Sequence, residues 1–356
     1  MVIYTFIYLT ILLFSSFQAF CRSRSRTFYF LLFCSAIILV LFSGTRFETG
    51  NDWREYTSLF NRVSVLSDDN NFEQFRVEYI YLFVNSAIKS IGFDNVGWVF
   101  LVYSFFTIFI IVFSFGKYSP LVFVCMLVYM RYGFLQFNFM FMRQGIVCSL
   151  FYLLLSNVIN ARFVRYFTSV IIFTFLHKSA IVFIPAYFFL IKRWKKSTLY
   201  AFLIIAFIFG NFVWINVFIN LIPIPSIKSM IYGYVNNEIW ARSKIISLSY
   251  LDKGFALIYC LENRKRFESF KYFNVILNLC FLSLFSSFLF AFNVVFSERI
   301  SIYFNISYCF LWSYIIYTLD IRARFVLTLG LIVFYGLWFI SYTSGDAFQP
   351  YKSFLF

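Results

Sequence analysis

Long Phe-rich apolar stretches, separated by short loops crowded with Lys and Arg, recur along all 356 residues. That alternation limits the fold more than any single motif. A stretch of about 20 apolar residues crosses a ~30 Å hydrocarbon core as a helix. Within that core only a helix or a closed barrel satisfies its backbone hydrogen bonds. The first two stretches run over 2–20 and 28–45, and the loop between them carries Arg22, Arg24 and Arg26. The expected fold is therefore all-α, a polytopic integral membrane protein with about twelve transmembrane segments, within a range of about eleven to thirteen.

The segments are 2–20, 28–45, 96–116, 119–138, 144–160, 164–177, 179–191, 198–219, 246–261, 271–292, 299–319 and 324–342. Two of them, 164–177 and 179–191, are short and read as half-spans meeting at His177 and Lys178, with Pro185 kinking the second. Neighbouring helices tolerate such breaks. No polar leader or small-residue cleavage site precedes the first stretch, so 1–20 reads as a retained span.

Charge orients the chain. One set of loops holds Arg22, Arg24, Arg26, Lys117, Arg162, Arg165, the 192–196 and 264–271 clusters, Arg322 and Arg324. It has 16 basic residues against the three acidic ones Glu262, Glu268 and Asp320, whereas the opposite set has 14 basic and 12 acidic. Cytoplasmic loops carry the Lys/Arg excess, so the first set is expected inside and both termini outside. Two long loops then face outward, about 46–95 and about 220–245. In the first, Glu78, Tyr81, Asn85 and Lys89 recur on one helical face, which suits a short helix lying in the membrane interface. The second, with Pro223, Pro225 and Trp240, reads as an amphipathic cover. Without a soluble domain or internal repeat, 1–356 is expected to form one transmembrane helical domain.

The net charge of +15 is scattered between helices, with no basic tail or domain, which argues against nucleic acid as a partner. The seven Cys lie in or beside apolar stretches and form no CxxC pair, so buried free thiols are expected. P-loop, GxSxG and HExxH motifs are missing, which speaks against an ATP-driven pump and a zinc protease.

The outward edge collects the unusual polar residues. Arg46 ends the second segment and is followed by Gly50, Asp52 and Tyr56; Glu78 opens the interfacial helix. Asn138, Arg143 and Gln144 flank a turn between spans, His177 interrupts an apolar run, and Glu298 and Arg299 precede the eleventh segment. Singly, each has an ordinary reading: an arginine snorkelling to headgroups, a solvated carboxylate, a structural histidine. Together they suit transfer from an anionic lipid carrier. Arginines hold a pyrophosphate by bidentate, charge-assisted hydrogen bonds and stabilise charge growing on the leaving phosphate. Neither a metal nor another cofactor is then needed. The candidate base is His177, the one histidine of the chain, since imidazole titrates near neutrality. Asp52 and Glu78 are the substitute carboxylates.

These residues resemble those of a known family. Phe42-Ser43-Gly44-Thr45-Arg46, leading to Gly50, Asp52 and Tyr56, is similar to the SGLR…G-x-D…Y opening of EpsG-type, Wzy-like polysaccharide polymerases. Glu78-Tyr79 resembles that family's E-x-x-Y or EPGY element, with the Pro and Gly absent here. Arg143-Gln144-Gly145 resembles its RQG segment, Phe175-Leu176-His177-Lys178-Ser179-Ala180 its FHxSA segment, and Glu298-Arg299 with Tyr303 its late ERxxxY element. The order holds across about 40–305.

The resemblance implies an O-antigen or exopolysaccharide polymerase in the bacterial inner membrane. Such an enzyme joins undecaprenyl-diphosphate-linked oligosaccharide repeat units, which serve as both donor and acceptor, on the periplasmic face. It further implies a fold similar to the GT-C-like glycosyltransferases of lipid-linked sugars, with membrane lipids and a chain-length regulator protein among its partners. His177, Asp52 and Glu78 are then the catalytic candidates, Arg143, Arg299 and Arg46 the diphosphate ligands, and Gln144, Glu298, Tyr56 and Tyr303 further substrate contacts. The competing classes are a lipid-linked oligosaccharide flippase, which should show polar residues reaching from both sides and an internal repeat, an O-antigen ligase sharing the donor chemistry, and a membrane acyltransferase.

Overall fold

A helix stands at each of the twelve apolar stretches, because an apolar stretch without polar partners closes its backbone bonds on itself. The computed structural model describes residues 1–20, 24–67, 75, 77–212, 214, 228–229, 232–233 and 248–355. Arg22, the acidic residues 68, 69 and 73, and most of the expected 220–245 cover lie outside the described residues. Three helices are long and apolar enough to cross a membrane: Arg26–Gly44, Gly97–Tyr118 and Ile321–Thr343. Their surroundings are those of a lipid-embedded protein. Phe6, Phe30, Phe33, Phe106, Phe113 and Leu337 are exposed, while Ser35, Ser104, Thr107 and Thr328 are buried.

The chain forms two compact units, one of Met1–Ile191 with Trp312–Phe356 and one of Lys192–Leu311. In the first, α1 (Val2–Phe20), α2 (Arg26–Gly44), α3 (Trp53–Arg62), α4 (Tyr79–Ser90), α5 (Gly97–Tyr118), α6 (Val122–Tyr129), α7 (Met142–Leu153), α8 (Leu155–Ile159), α9 (Phe163–Leu176) and α10 (Phe183–Leu190) follow in order, with the long helix Ile321–Thr343 packed on α1. Side chains complete the helix ends. Ser25 accepts from the Phe28 amide at the start of α2, and Asp320 accepts from Arg322 and Ala323 at the start of Ile321–Thr343. The Arg24 guanidinium donates to the Gly116 and Ser119 carbonyls at the end of α5. Arg324 donates to those of Ile316 and Leu319. Charged donors at carbonyl-rich C-termini also oppose the helix dipole.

Three features go beyond the expected run of spans. First, the stretch at 119–138 is not one α-helix. Beyond α6 the backbone widens into two π-helical turns, Met130–Phe134 and Gln136–Met140, before α7 begins. The Phe141 amide reaches back five residues to the Gln136 carbonyl at 2.6 Å, and the Asn138 amide holds the Phe134 carbonyl at 2.9 Å. Second, the loop after α2 contains α3 and a two-residue strand, β1 (Arg46–Phe47). That strand pairs antiparallel with β2 (Lys352–Ser353) near the far end of the chain. Third, α4 forms where the interfacial helix is expected, but its polar face turns inward. Tyr81 and Asn85 are fully buried, whereas Tyr79, Phe83 and Ile91 are exposed. Lys89 donates to the Val63 carbonyl at 2.6 Å and the Asn85 side-chain amide to that of Tyr81 at 2.6 Å. Tyr56, Phe60, Tyr81, Leu82, Phe100, Tyr103 and Met142 form the core shared by α3, α4, α5 and the start of α7.

In the second unit, α11 (Lys196–Phe209) and the helices Leu248–Glu262 and Val294–Asn305 pack on Phe273–Leu289. Asn293 caps Val294–Asn305 by accepting from the Val295 and Phe296 amides. Of the described cysteines, all free, Cys125, Cys148, Cys260, Cys280 and Cys309 are buried and Cys34 is partly so.

Candidate functional site

Three sequence-distant elements meet at Glu78 in the first unit. Glu78 precedes α4 with an extended backbone, and its carboxylate makes no bond to its own helix. It is therefore available to other partners, and the positive end of the α4 dipole favours its charge. One oxygen, Oε2, accepts from Arg143 Nη1 at 2.5 Å. The other, Oε1, contacts His177 Nδ1 at 2.9 Å and accepts from the Lys178 amide at 3.2 Å. The carboxylate side chain is only 7% exposed, whereas Arg143 and His177 are each 23% exposed. The anion thus lies beneath, and the two groups it holds face outward.

Local structure explains each placement. His177 is in an extended conformation between α9 and the 3₁₀ turn Lys178–Val182, which breaks the apolar run and turns the ring and the Lys178 amide toward Glu78. Arg143 lies in the first turn of α7, and its guanidinium stands 5.4 Å from the Tyr81 ring and 6.0 Å from that of Tyr56. Gly145 lets α7 close on the π turns: a Cβ there would meet Phe137 Cβ at 2.6 Å. The Tyr56 hydroxyl donates to the Met140 carbonyl at 3.1 Å and so ties α3 to the same turn.

Burial alone would favour the neutral acid of Glu78. The hydrogen bond with His177 and the positive charge of Arg143 outweigh it and hold the carboxyl down at about 2. Glu78 is thus an anion at neutral pH and a poor proton acceptor. Opposite an ionised carboxylate, His177 Nδ1 donates, which leaves the lone pair of a neutral ring on Nε2. Among the described residues Nε2 has no hydrogen-bond partner.

Arg46 belongs to the same loop region but has different surroundings. It is fully buried. Its Nε donates to the Asn138 carbonyl at 3.0 Å, Nη1 to that of Thr49 at 2.8 Å, and Nη2 contacts Met142 Sδ at 3.2 Å. Its guanidinium also stands 4.0 Å from the Phe100 ring. These bonds brace the loop against the π turns and give Arg46 an architectural place. Gly50 is part of this brace: its φ is +97°, and a Cβ would strike the Phe139 carbonyl. Asp52 opens α3, where its charge acts on Arg46 and Tyr56. Gln144 is buried beside Arg143.

The other expected site residues belong to the second unit. Glu298 and Arg299 are exposed on Val294–Asn305, and Tyr303 is buried on the same helix. Among the described residues no three His, Cys, Asp or Glu side chains converge as a metal site would require. Two further buried charges stand outside the expected site residues. Arg131 is buried in the first π turn with its guanidinium 4.0 Å from the Trp338 ring. Lys253, buried in Leu248–Glu262, donates to Asn305 Oδ1 at 2.8 Å. Their signal was the presence of a charge inside an apolar run.

No curated protein and no solved structure matches the chain. The RQG, FHxSA and Glu78-Tyr79 elements, matched by their residues in sequence, converge on one carboxylate. The model of the EpsG family matches residues 29–353, nearly the whole length, and the chain belongs to that Wzy-like, polymerase-type family of membrane proteins.

Proposed function

We propose that the chain is a metal-independent polysaccharide polymerase that joins undecaprenyl-diphosphate-linked oligosaccharide repeat units on the periplasmic face of the bacterial inner membrane. Family membership supports a polysaccharide polymerase role in general. The observation that carries the finer reading is one buried carboxylate gripping both an arginine and the single histidine. In this reading the acceptor hydroxyl oxygen attacks the anomeric carbon of the donor sugar. The bond from that carbon to the diphosphate oxygen breaks, and the hydroxyl proton passes to His177 Nε2. Arg143 holds the diphosphate and stabilises its growing charge through the donors that Glu78 does not use. Glu78 is a positioning residue: it fixes the tautomer of His177 and stabilises the imidazolium that forms, the role a buried carboxylate plays in catalytic triads.

The twelve-segment topology belongs to the same proposal, with Arg24, Lys192–Lys196 and Arg264–Lys271 in the cytoplasm and Asp52, His177 and Glu298 outside. From the motif resemblance, Arg299 keeps its assignment as a diphosphate ligand, and Glu298 and Tyr303 theirs as further substrate contacts.

The test is the surface polysaccharide of a deletion strain on a gel. A single repeat unit on the lipid core, restored to a ladder by the wild-type gene, is the expected result. Loss of all O-antigen with lipid-linked polymer accumulating identifies a ligase instead and overturns the proposal.

A further inference from the structure

In the second unit a polar cavity of about 320 Å³ opens among the loops with the densest basic charge. Arg193, Arg264 and Lys271 line it, against the single carboxylate of Glu268. Glu268 Oε1 is engaged by Arg193 Nη2 at 2.5 Å, and both groups are more than half exposed. Arg264 is the unusual member. Its Nη1 donates to the Trp194 carbonyl at 2.6 Å. Its Nε and Nη2 are shielded from solvent and have no hydrogen-bond partner among the described residues. Shielded donors on a permanent cation are costly unless an anion meets them. Burial, and then the like charge of Arg193, lower the Arg264 pKa.

Neighbouring acidic and amide groups are already committed elsewhere. Glu262 accepts from Lys196 at 2.6 Å and from the Tyr200 hydroxyl at 2.7 Å, and the Asn274 amide donates to the Lys192 carbonyl at 3.1 Å. The remaining walls are the rings of Phe270 and Phe273. Three cations beside two aromatic rings, next to an apolar helix bundle, suit a headgroup carrying phosphate at one end and hydrocarbon at the other. Basic pockets flanking membrane helices bind anionic lipids by this chemistry.

We propose that the cavity of Arg193, Arg264 and Lys271 binds a phosphate-bearing anion, with the headgroup of an anionic phospholipid as its occupant. Arg264 supplies the paired donors that face no protein acceptor, and Lys271 a point charge. The site uses none of the residues assigned to glycosyl transfer, so its occupancy is separable from that reading.

Full-length protein in detergent, titrated with phosphatidylglycerol or phosphatidylcholine, provides the test, with bound lipid counted by native mass spectrometry. Wild type is expected to retain phosphatidylglycerol in preference. Arg264→Gln and Lys271→Gln should each lower that retention by about tenfold or more, the effect of losing a charge-assisted hydrogen bond. Lys196→Gln removes the same charge from the same region outside the cavity, and its retention should be unchanged. Folding of each variant is checked by circular dichroism, and Lys271→Gln carries the test if Arg264→Gln does not fold. Stabilisation of wild type by inorganic phosphate alone, lost in the same two variants, assigns the site to free phosphate as its source. Equal retention by all three variants, or an equal fall in all three, overturns the proposal.

Discussion

Arg46 and Arg143 belong to one unit, and Arg46 contacts Asn138 and Met142 just before Arg143 in the chain, yet the two occupy opposite environments. Arg46 is sealed, and all three of its nitrogens are bonded to protein. Burial lowers its pKa to about 10, still well above neutrality, so it remains a cation stabilised by carbonyl dipoles and an aromatic face. Arg143 is partly open and meets the Glu78 carboxylate and the Tyr56 hydroxyl. Two arginines expected to serve one ligand therefore need not share an environment. What separates them is how far the protein seals each one.

The sharpest way to break that contrast is at the open site. His177→Ala is expected to lower polymerisation of purified lipid-linked repeat units by about 10²–10⁴, with folded yield retained. His177→Gln should be nearly as inactive, because an amide does not accept the proton. Near-normal activity in both variants removes His177 as the base. Next in size, Arg143→Ala should cost about 10²–10³ in rate at matched protein levels, the scale of one lost donor to developing charge. Arg143→Lys should remain clearly impaired, since a point charge cannot replace the fork. Wild-type chain length and amount from Arg143→Ala sinks the phosphate role.

At the sealed site the expectation reverses. Arg46→Lys should destabilise the fold by about 2 kcal/mol or more, since it leaves buried carbonyls without donors, while activity per folded molecule is preserved. A folded, stable, inactive Arg46→Lys would place Arg46 with Arg143 after all.

The smallest effect concerns pH. The folded-state pKa of Glu78 is depressed from 4.5 to about 2. Its contribution to stability is therefore complete above about 4.5 and lost as pH falls toward 2. The stability difference between wild type and Glu78→Gln, followed by thermal unfolding, should shrink as pH falls from about 4.5 toward 2. A difference that stays constant over that range contradicts the depressed pKa.

Much of this was legible from residue order. Apolar runs placed the helices because lipid leaves the backbone no alternative. The break at His177 was visible because an imidazole between Leu176 and Lys178 interrupts an apolar run. What residue order could not carry was pairing. Glu78 and His177 are 99 positions apart, and no local pattern says that one carboxylate serves both the histidine and an arginine. Residue order offered Glu78 as a substitute base without showing that its carboxylate contacts both Arg143 and His177. The face of α4 was misjudged for a related reason. Periodicity shows that Glu78, Tyr81, Asn85 and Lys89 share a side, but not whether that side meets water or buried partners. The bonds of Arg46 to the carbonyls of Thr49 and Asn138 were not legible either, because no residue identity announces a backbone acceptor.

The two π turns between α6 and α7 have a consequence for how this family can vary. Each successive residue along a helix advances the facing direction by about 100°. A wider turn is thus a phase shifter between the helix before it and the helix after it. Removing one residue from 130–140 would let the segment relax to ordinary helix and swing Arg143, Asn138 and the Met140 carbonyl away from Glu78, Arg46 and Tyr56 together. Exchanging side chains within the segment disturbs one contact at a time, whereas changing its length rotates several contacts at once. Single-residue deletions in this segment should therefore be far less tolerated than substitutions.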